Sequence, residues 1–458
     1  MTATMKTIYI RLILIFSIMI VLTSCEQFVK VEEVKDRMLA EQVFESKTTA
    51  NAAITGIYKT VRSTLPTAIS RLNPMISDEL TTYLNAETNN YVINNLQVND
   101  ASLPWAGLYS IIYGANNAIE KLSNSTAIDN VSKQLYIGEA KFLRAFAYFY
   151  LVNLFGDVPL ILTTNVQQNS VATRTPTEQV HSQIILDLTE ATRDLPLDYA
   201  HGNNERIRAN HWVAKSLLAR VYLYRKMYTD AEREANDVIG SNAYALLNTP
   251  VGIWAKNNTE VIWQLANNPT ENNNPVASGF LYTSAPTYKL TESLLNAFEV
   301  GDLRRSTWIQ NRVYQSNNLS IPFKLTSSTT NPPEYYTLIR LAELYLIRAE
   351  ARAFRDDFQG CADDIDLIRQ KHGGLTTPVS VPANFEQALD LILHERQVDF
   401  FTEGMHRWFD LKRTDRLNIV MMNVKPTTWN DWAAWYPIPL TETQRNTNLS
   451  QNTGYEQQ

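Results

Sequence analysis

The chain has little cysteine, little histidine and no apolar run long enough to cross a membrane, and each shortage removes a class of protein. Two cysteines stand in 458 residues, Cys25 and Cys361, so a disulfide scaffold is excluded. The six histidines form no His-x-x-x-His pair, and neither a metal centre nor any other cofactor is suggested. Phosphate-binding glycine loops, the G-x-S-x-G elbow and the G-x-G-x-x-G dinucleotide turn are also missing. A formal net charge of -6 supplies no basic face, which argues against a nucleic-acid partner. What remains is a chain with 45% hydrophobic residues, enough to build a core without covalent or metal staples.

At the N-terminus Lys6 and Arg11 precede an apolar run from Leu12 to Leu22, followed by Thr23, Ser24 and Cys25. The run is shorter than the roughly 20 residues of a membrane-spanning helix and has the layout of a secretory signal, here residues 1–24. A cysteine directly behind small residues at the end of such a run is the lipid acceptor of bacterial lipoproteins, which makes Cys25 the first residue of the mature chain. Several acyl chains on one cysteine hold a protein at a membrane, because each buried methylene contributes about 0.8 kcal/mol. With Cys25 lipidated, Cys361 has no disulfide partner.

Apolar residues recur at three- and four-residue spacing over 107–123, 133–155, 177–194, 209–226, 229–240, 335–354, 360–371 and 385–403, and this predicts a mostly α protein. The helix around Phe142–Leu151 is apolar on most of its circumference, the pattern of a helix buried among others. Pairs such as 209–226 with 229–240 are joined by very short turns, as in helical hairpins of tetratricopeptide size. Residues 73–104 and 248–333 are rich in Asn, Thr, Ser and Pro and are expected to be long loops. Helical hairpins as frame and Asn/aromatic loops as surface suit a binding protein.

His394, Glu395, Arg396, Asp399, Glu403, His406 and Asp410 make the densest titratable cluster. Position 398 is Val, which breaks the zincin pattern, and carboxylates on one helix cannot flank a glycosidic bond from both sides. A buried ion-pair network organised by Arg396 and Arg407 is the expectation.

Several strings, in this order behind a lipobox, resemble the SusD/RagB family. They are Phe44 with Gly56-Ile57-Tyr58, then Trp105, Tyr109 and Asn116-Asn117-Ala118, and then Glu139-Ala140-Lys141-Phe142-Leu143-Arg144-Ala145. Phe155-Gly156-Asp157-Val158-Pro159, Ile339 to Ala351, Glu395-Arg396, Asp410-Leu411-Lys412-Arg413 and Pro437-Ile438-Pro439 complete the set. The resemblance covers nearly the whole chain. It implies one SusD-like domain over 25–458, with an N-terminal part of about 25–225 and a C-terminal part of about 255–458. In such a fold four tetratricopeptide-like helix pairs support an irregular, loop-rich ligand-binding half. The resemblance also implies a cell-surface lipoprotein of the outer membrane that binds nutrient without catalysis, as the lid of a SusC-type TonB-dependent transporter.

A glycan site needs aromatic faces for sugar rings and planar amides or carboxylates for vicinal hydroxyls. Asp78, Tyr83, Asn85, Asn89 and Tyr91 offer both, in a region that contributes to the site in the family's glycan binders. Tyr282, Tyr288, Trp308 and Tyr314 form a second candidate set. For each aromatic the alternative is a plug in the core of the irregular half. Trp429, Trp432 and Trp435 suggest a stacking platform by their spacing, but core or hairpin packing is the expectation. Besides glycan, a peptide ligand of the RagB type, a surface hydrolase on the same scaffold and a protein-binding adaptor stay open.

Overall fold

The computed structural model describes residues 42–267, 276, 280, 281, 286–326 and 334–456. Cys25 and its leader, and Tyr282, lie outside the described residues. Among these residues no helix is long and apolar enough to cross a membrane.

The frame is a stack of helix pairs: α1 (Lys47–Thr67) with α2 (Trp105–Asn124), α3 (Asn130–Phe155) with α4 (Thr177–Asp194), α5 (His211–Tyr224) with α6 (Tyr228–Gly240), and α7 (Leu341–Phe354) with α8 (Phe358–Ile368). Each helix packs on the next in chain order, and α6 carries the stack across to α7. The fold is mostly α, as expected. The starts are written locally. Asp129 accepts a hydrogen bond from the Ser132 amide at 2.9 Å, and Asn210 caps α5 through the Val213 amide at 2.9 Å, which satisfies donors that the first turn leaves open. At the end of α3 Gly156 has a φ of +74°, where a side chain would be strained, and the chain turns out toward Pro159.

Helix α3 is the axis of the core, buried from Phe142 to Val152. Phe142 and Phe146 lie one turn apart, and both meet Trp263 edge to face, with centroids 5.0 and 4.9 Å away. Truncating such a ring costs about 3–5 kcal/mol. Trp263 belongs to β2 (Val261–Leu265), so this cluster fastens the irregular half to the helical stack.

Among the described residues that irregular half holds three two-stranded antiparallel ribbons. They pair β1 (Leu80–Thr82) with β3 (Tyr288–Leu290), β2 with β6 (Tyr336–Arg340), and β4 (Ile309–Tyr314) with β5 (Asn317–Pro322). The helix expected over 335–354 therefore begins only at Leu341. Residues 336–340 are buried throughout and pair with β2. A short stretch buried on both faces shows no alternation by which strand and helix can be told apart.

Helices α9 (Phe385–Phe400), α10 (His406–Arg413) and α11 (Leu417–Val424) close the domain. Between them and the ribbons lies a buried ion network. Arg340 reaches Glu260 at 3.2 Å, Asp399 at 2.5 Å and Glu403 at 3.0 Å. Arg304 reaches Glu395 at 2.5 Å and Asp302 at 2.8 Å. Lys324 donates to Glu403 at 2.6 Å and to the Asp399 and Phe401 carbonyls. His372 sits between Asp399 at 2.8 Å and Glu260 at 2.9 Å. The cluster expected in 394–410 is thus a buried network, but Arg304 and Arg340 organise it. Arg396 has its own partner in Asp410 at 2.6 Å, and Arg407 turns to Asp78. Cys361 is buried and free.

Burial alone would lower the pKa of His372, yet the carboxylates of Glu260 and Asp399 raise it to about 9. A folded-state value above the ordinary 6.5 stabilises fully below pH 6.5, and that contribution disappears as pH rises through about 9. His372→Gln should therefore cost about 3–5 kcal/mol at pH 6, the scale for breaking a buried ion pair. Urea denaturation of both proteins should show the gap narrowing toward pH 9.5; a gap independent of pH would mean that His372 acts only by packing.

Candidate functional site

The surface around the β1–β3 ribbon gathers most of the loop residues singled out in the sequence. Thr82 pairs with Tyr288, and the Tyr83 amide donates to the Thr287 carbonyl at 2.9 Å. Side chains alternate along a strand, so Tyr83 and Tyr288 leave the ribbon on opposite faces. Tyr83 meets Tyr314 of β4 edge to face, centroids 5.7 Å apart, and its hydroxyl accepts from Asn317 Nδ2 at 3.0 Å. Both tyrosines are half-exposed. They form a small aromatic ledge, with the amide of Asn317 locked at its edge.

Two depressions flank the ribbon. One, of about 420 Å³, is lined by Thr82, Leu84, Asn85, Thr88, Asn89 and Thr287. The other, of about 560 Å³, lies against Thr81, Lys289, Ser293 and the 424–428 turn behind α11. The walls of the first are hydroxyls, amides and short apolar side chains; the second also presents Glu87, Lys289 and Glu292. Asn85 stands exposed at φ +58°, a conformation that Asn tolerates better than most residues. Asn89 is half-buried, and its Oδ1 accepts from the amides of Tyr91 and Val92 at 3.0 and 3.2 Å; its acceptor is spent on the turn.

Asp78 corrects the expectation that it meets ligand. It is buried, and Arg407 grips it from two nitrogens, each at 2.8 Å. Ser293 and Gln397 add hydrogen bonds at 3.1 and 3.2 Å. Burial pushes its pKa upward, but the Arg407 guanidinium outweighs that and holds it below the usual carboxylate value. Asp78 is the clamp that fixes the ribbon to α9 and α10. Next to it Glu79 is buried, and burial together with the Asp78 charge raises its pKa to about 8.

Trp308 is also corrected. Its ring is buried, and its Nε1 donates to the Pro250 carbonyl at 2.8 Å, with Lys324 Nζ 4.6 Å from the ring centroid. It belongs to the wall of the ion network and presents no face to solvent. Tyr91 is likewise buried. Tyr288 packs edge to face on Phe280 at 6.1 Å, away from the ledge. Of the aromatic candidates, the structure brings together Tyr83 and Tyr314.

Sequence reasoning missed the 424–428 turn. Lys425 turns its ammonium inward, donating to the carbonyls of Met75 and Ile76 at 2.7 and 3.0 Å and to Asn94 Oδ1 at 2.7 Å. Burial lowers its pKa to about 7. No periodicity marks a turn that docks on a segment 350 residues earlier. The three tryptophans build no platform. Trp429 meets Trp408, Trp432 meets Tyr455, and Trp435 carries Lys412 Nζ 3.4 Å from its ring centroid. Among the described residues no group of three or more His, Cys, Asp or Glu side chains could hold a metal ion.

Comparison with known proteins agrees with this architecture. Residues 27–223 match the family described as starch-binding, associating with outer membrane, and residues 306–455 match the SusD family. SusD-like protein P25 of Formosa agariphila is 22% identical over 98% of this chain and 99% of its own. A SusD superfamily crystal structure from Parabacteroides distasonis superposes with a TM-score of 0.76 at 24% identity, covering 89% of this chain and 99% of that one. A laminarin-binding SusD-like protein superposes with a TM-score of 0.73 at 23% identity, over 89% and 99% of the two chains. With both sequence halves matched and the helical frame shared along its length, the chain belongs to the SusD/RagB family.

Proposed function

We propose that this protein is a cell-surface glycan-binding lipoprotein, anchored in the outer membrane through Cys25 and acting as the lid of a SusC-type TonB-dependent transporter. Members of the family are glycan-binding, outer-membrane-associated proteins rather than enzymes, and one relative in fold is named for binding laminarin. The observation that carries the reading is the half-exposed Tyr83–Tyr314 ledge with the Asn317 amide held at its edge. An aromatic ring offers its face to the C–H side of a pyranose, and planar amides bond its hydroxyls. The carboxylates of the densest titratable cluster are committed to structure: Asp399, Glu403 and Asp410 are buried against arginines. The smaller depression, between Thr82, Leu84, Asn85, Thr88, Asn89 and Thr287, has no charged side chain in its walls, which suits a neutral oligosaccharide better than a charged peptide.

Capture would occur on this ledge, and the lipid tether would hold the lid at high effective concentration over its barrel. Removing both rings, Tyr83→Ala with Tyr314→Ala, should weaken binding of a neutral hexasaccharide by roughly tenfold or more, since each ring contact is worth about 1 kcal/mol. Isothermal titration with α-1,4-, β-1,3- and β-1,4-linked hexasaccharides measures this, and an unchanged Kd places the ligand elsewhere. Tight binding of peptides alone would instead favour the RagB-type ligand.

Cys25→Ala should move the protein from the membrane pellet to the soluble fraction and leave its hexasaccharide affinity unaltered. Retention in the pellet after fractionation and immunoblotting would show that something other than a lipidated cysteine anchors it.

A further inference from the structure

On α2, away from the ledge, Trp105, Tyr109 and Tyr113 recur at four-residue spacing and so share one helix face. Trp105 is buried at the base, its ring 4.9 Å from that of Tyr109. Tyr109 is half-buried, and its hydroxyl donates to the Pro159 carbonyl at 2.8 Å, which fixes the ring plane. Tyr113 is 57% exposed. The ladder forms one wall of a cleft of about 370 Å³. Its floor is pinned in turn, because Asn116 Nδ2 donates to the Ile161 carbonyl at 3.0 Å and the Ile161 amide donates to Tyr148 at 2.6 Å.

The opposite wall comes from the last short helix, Leu440–Arg445, and its exit. Glu442 and Arg445 stand 3.6 Å apart there. Their charges offset each other, and the pair is loose on a largely exposed Arg445, which leaves guanidinium N–H groups open to a ligand. Asn169 and Ser170 complete the rim. A rigid aromatic wall facing planar polar groups of zero net charge suits an uncharged polyol: the ring faces take its C–H surface and the guanidinium and carboxylate bond paired hydroxyls. A charged ligand would meet no uncompensated counter-charge.

We propose that this cleft is a second saccharide-binding site, taking a neutral oligosaccharide independently of the Tyr83–Tyr314 ledge; the inference rests on reading the protein as a glycan binder. Two weak sites on one lipid-held chain would retain a polymer far better than either alone.

The test uses the full-length protein in detergent and the same three neutral hexasaccharides. Native protein, Tyr113→Ala, Tyr83→Ala/Tyr314→Ala and the triple variant are titrated, with melting curves as the control that the exposed Tyr113 is dispensable for folding. Residual binding in the Tyr83/Tyr314 variant that drops about fivefold on adding Tyr113→Ala is the expected result. If the Tyr83/Tyr314 variant binds nothing, or keeps a residue that Tyr113→Ala leaves untouched, the second site is wrong and the ledge stands. If Tyr113→Ala alone abolishes binding while the ledge variant is unaffected, the cleft stands and the ledge reading fails. A native protein that binds none of the three hexasaccharides overturns both.

Discussion

The fold depends on one buried electrostatic knot. Asp399 lies at the end of α9, and Arg340, Arg304 and His372 converge on it from β6, from the segment before β4 and from the turn behind α8. Burial pushes the Asp399 pKa upward, but Arg340 and His372 outweigh it and hold the carboxyl far below its ordinary value. Charges withdrawn from water in this way are tolerable only when each finds its partners, so the geometry is close to all-or-none. The knot joins parts that apolar packing alone would leave loosely related: two ribbons, the last helix pair and the closing helices. The ledge is held by the same logic one step away, where the Asp78–Arg407 pair fastens the ribbon to α10.

The division of labour between frame and surface follows from this. Helix α3 and its neighbours bury rings in a pattern that short-range periodicity writes and local caps punctuate. The irregular half has no such regularity; its shape comes from long-range pairs such as Leu80 with Leu290 and Tyr83 with Tyr314. A rigid stack can therefore carry a surface whose loops are free to differ in composition without cost to the core.

What could be read from the sequence divides along the same line. The helices 177–194 and 229–240 were legible almost to the residue, because a 3.6-residue period survives in a single stretch of chain. The strand 336–340 was not, since full burial erases its alternation. Tyr83 and Tyr314 were both named as candidates, but their meeting was invisible, as was the withdrawal of Trp308 into the core. An aromatic in an Asn-rich loop has the same local signature whether it faces solvent or a lysine such as Lys324. Asp78 shows the complementary failure: a carboxylate among ligand-like neighbours reads as a contact, and only the distant Arg407 reveals it as a fastener. The buried character of the 394–410 cluster was legible from the abundance of arginine there, but its organisers, Arg304 and Arg340, come from elsewhere in the chain.

The ribbon beneath the ledge has a temporal corollary. Its two strands lie far apart along the chain, and closing so large a loop is entropically costly until other contacts have brought the ends together. The surface it carries is thus among the last features to mature, after the helical stack has assembled. A partly synthesised chain that lacks β3 cannot form the ribbon, so the ledge belongs only to molecules that have completed their folding.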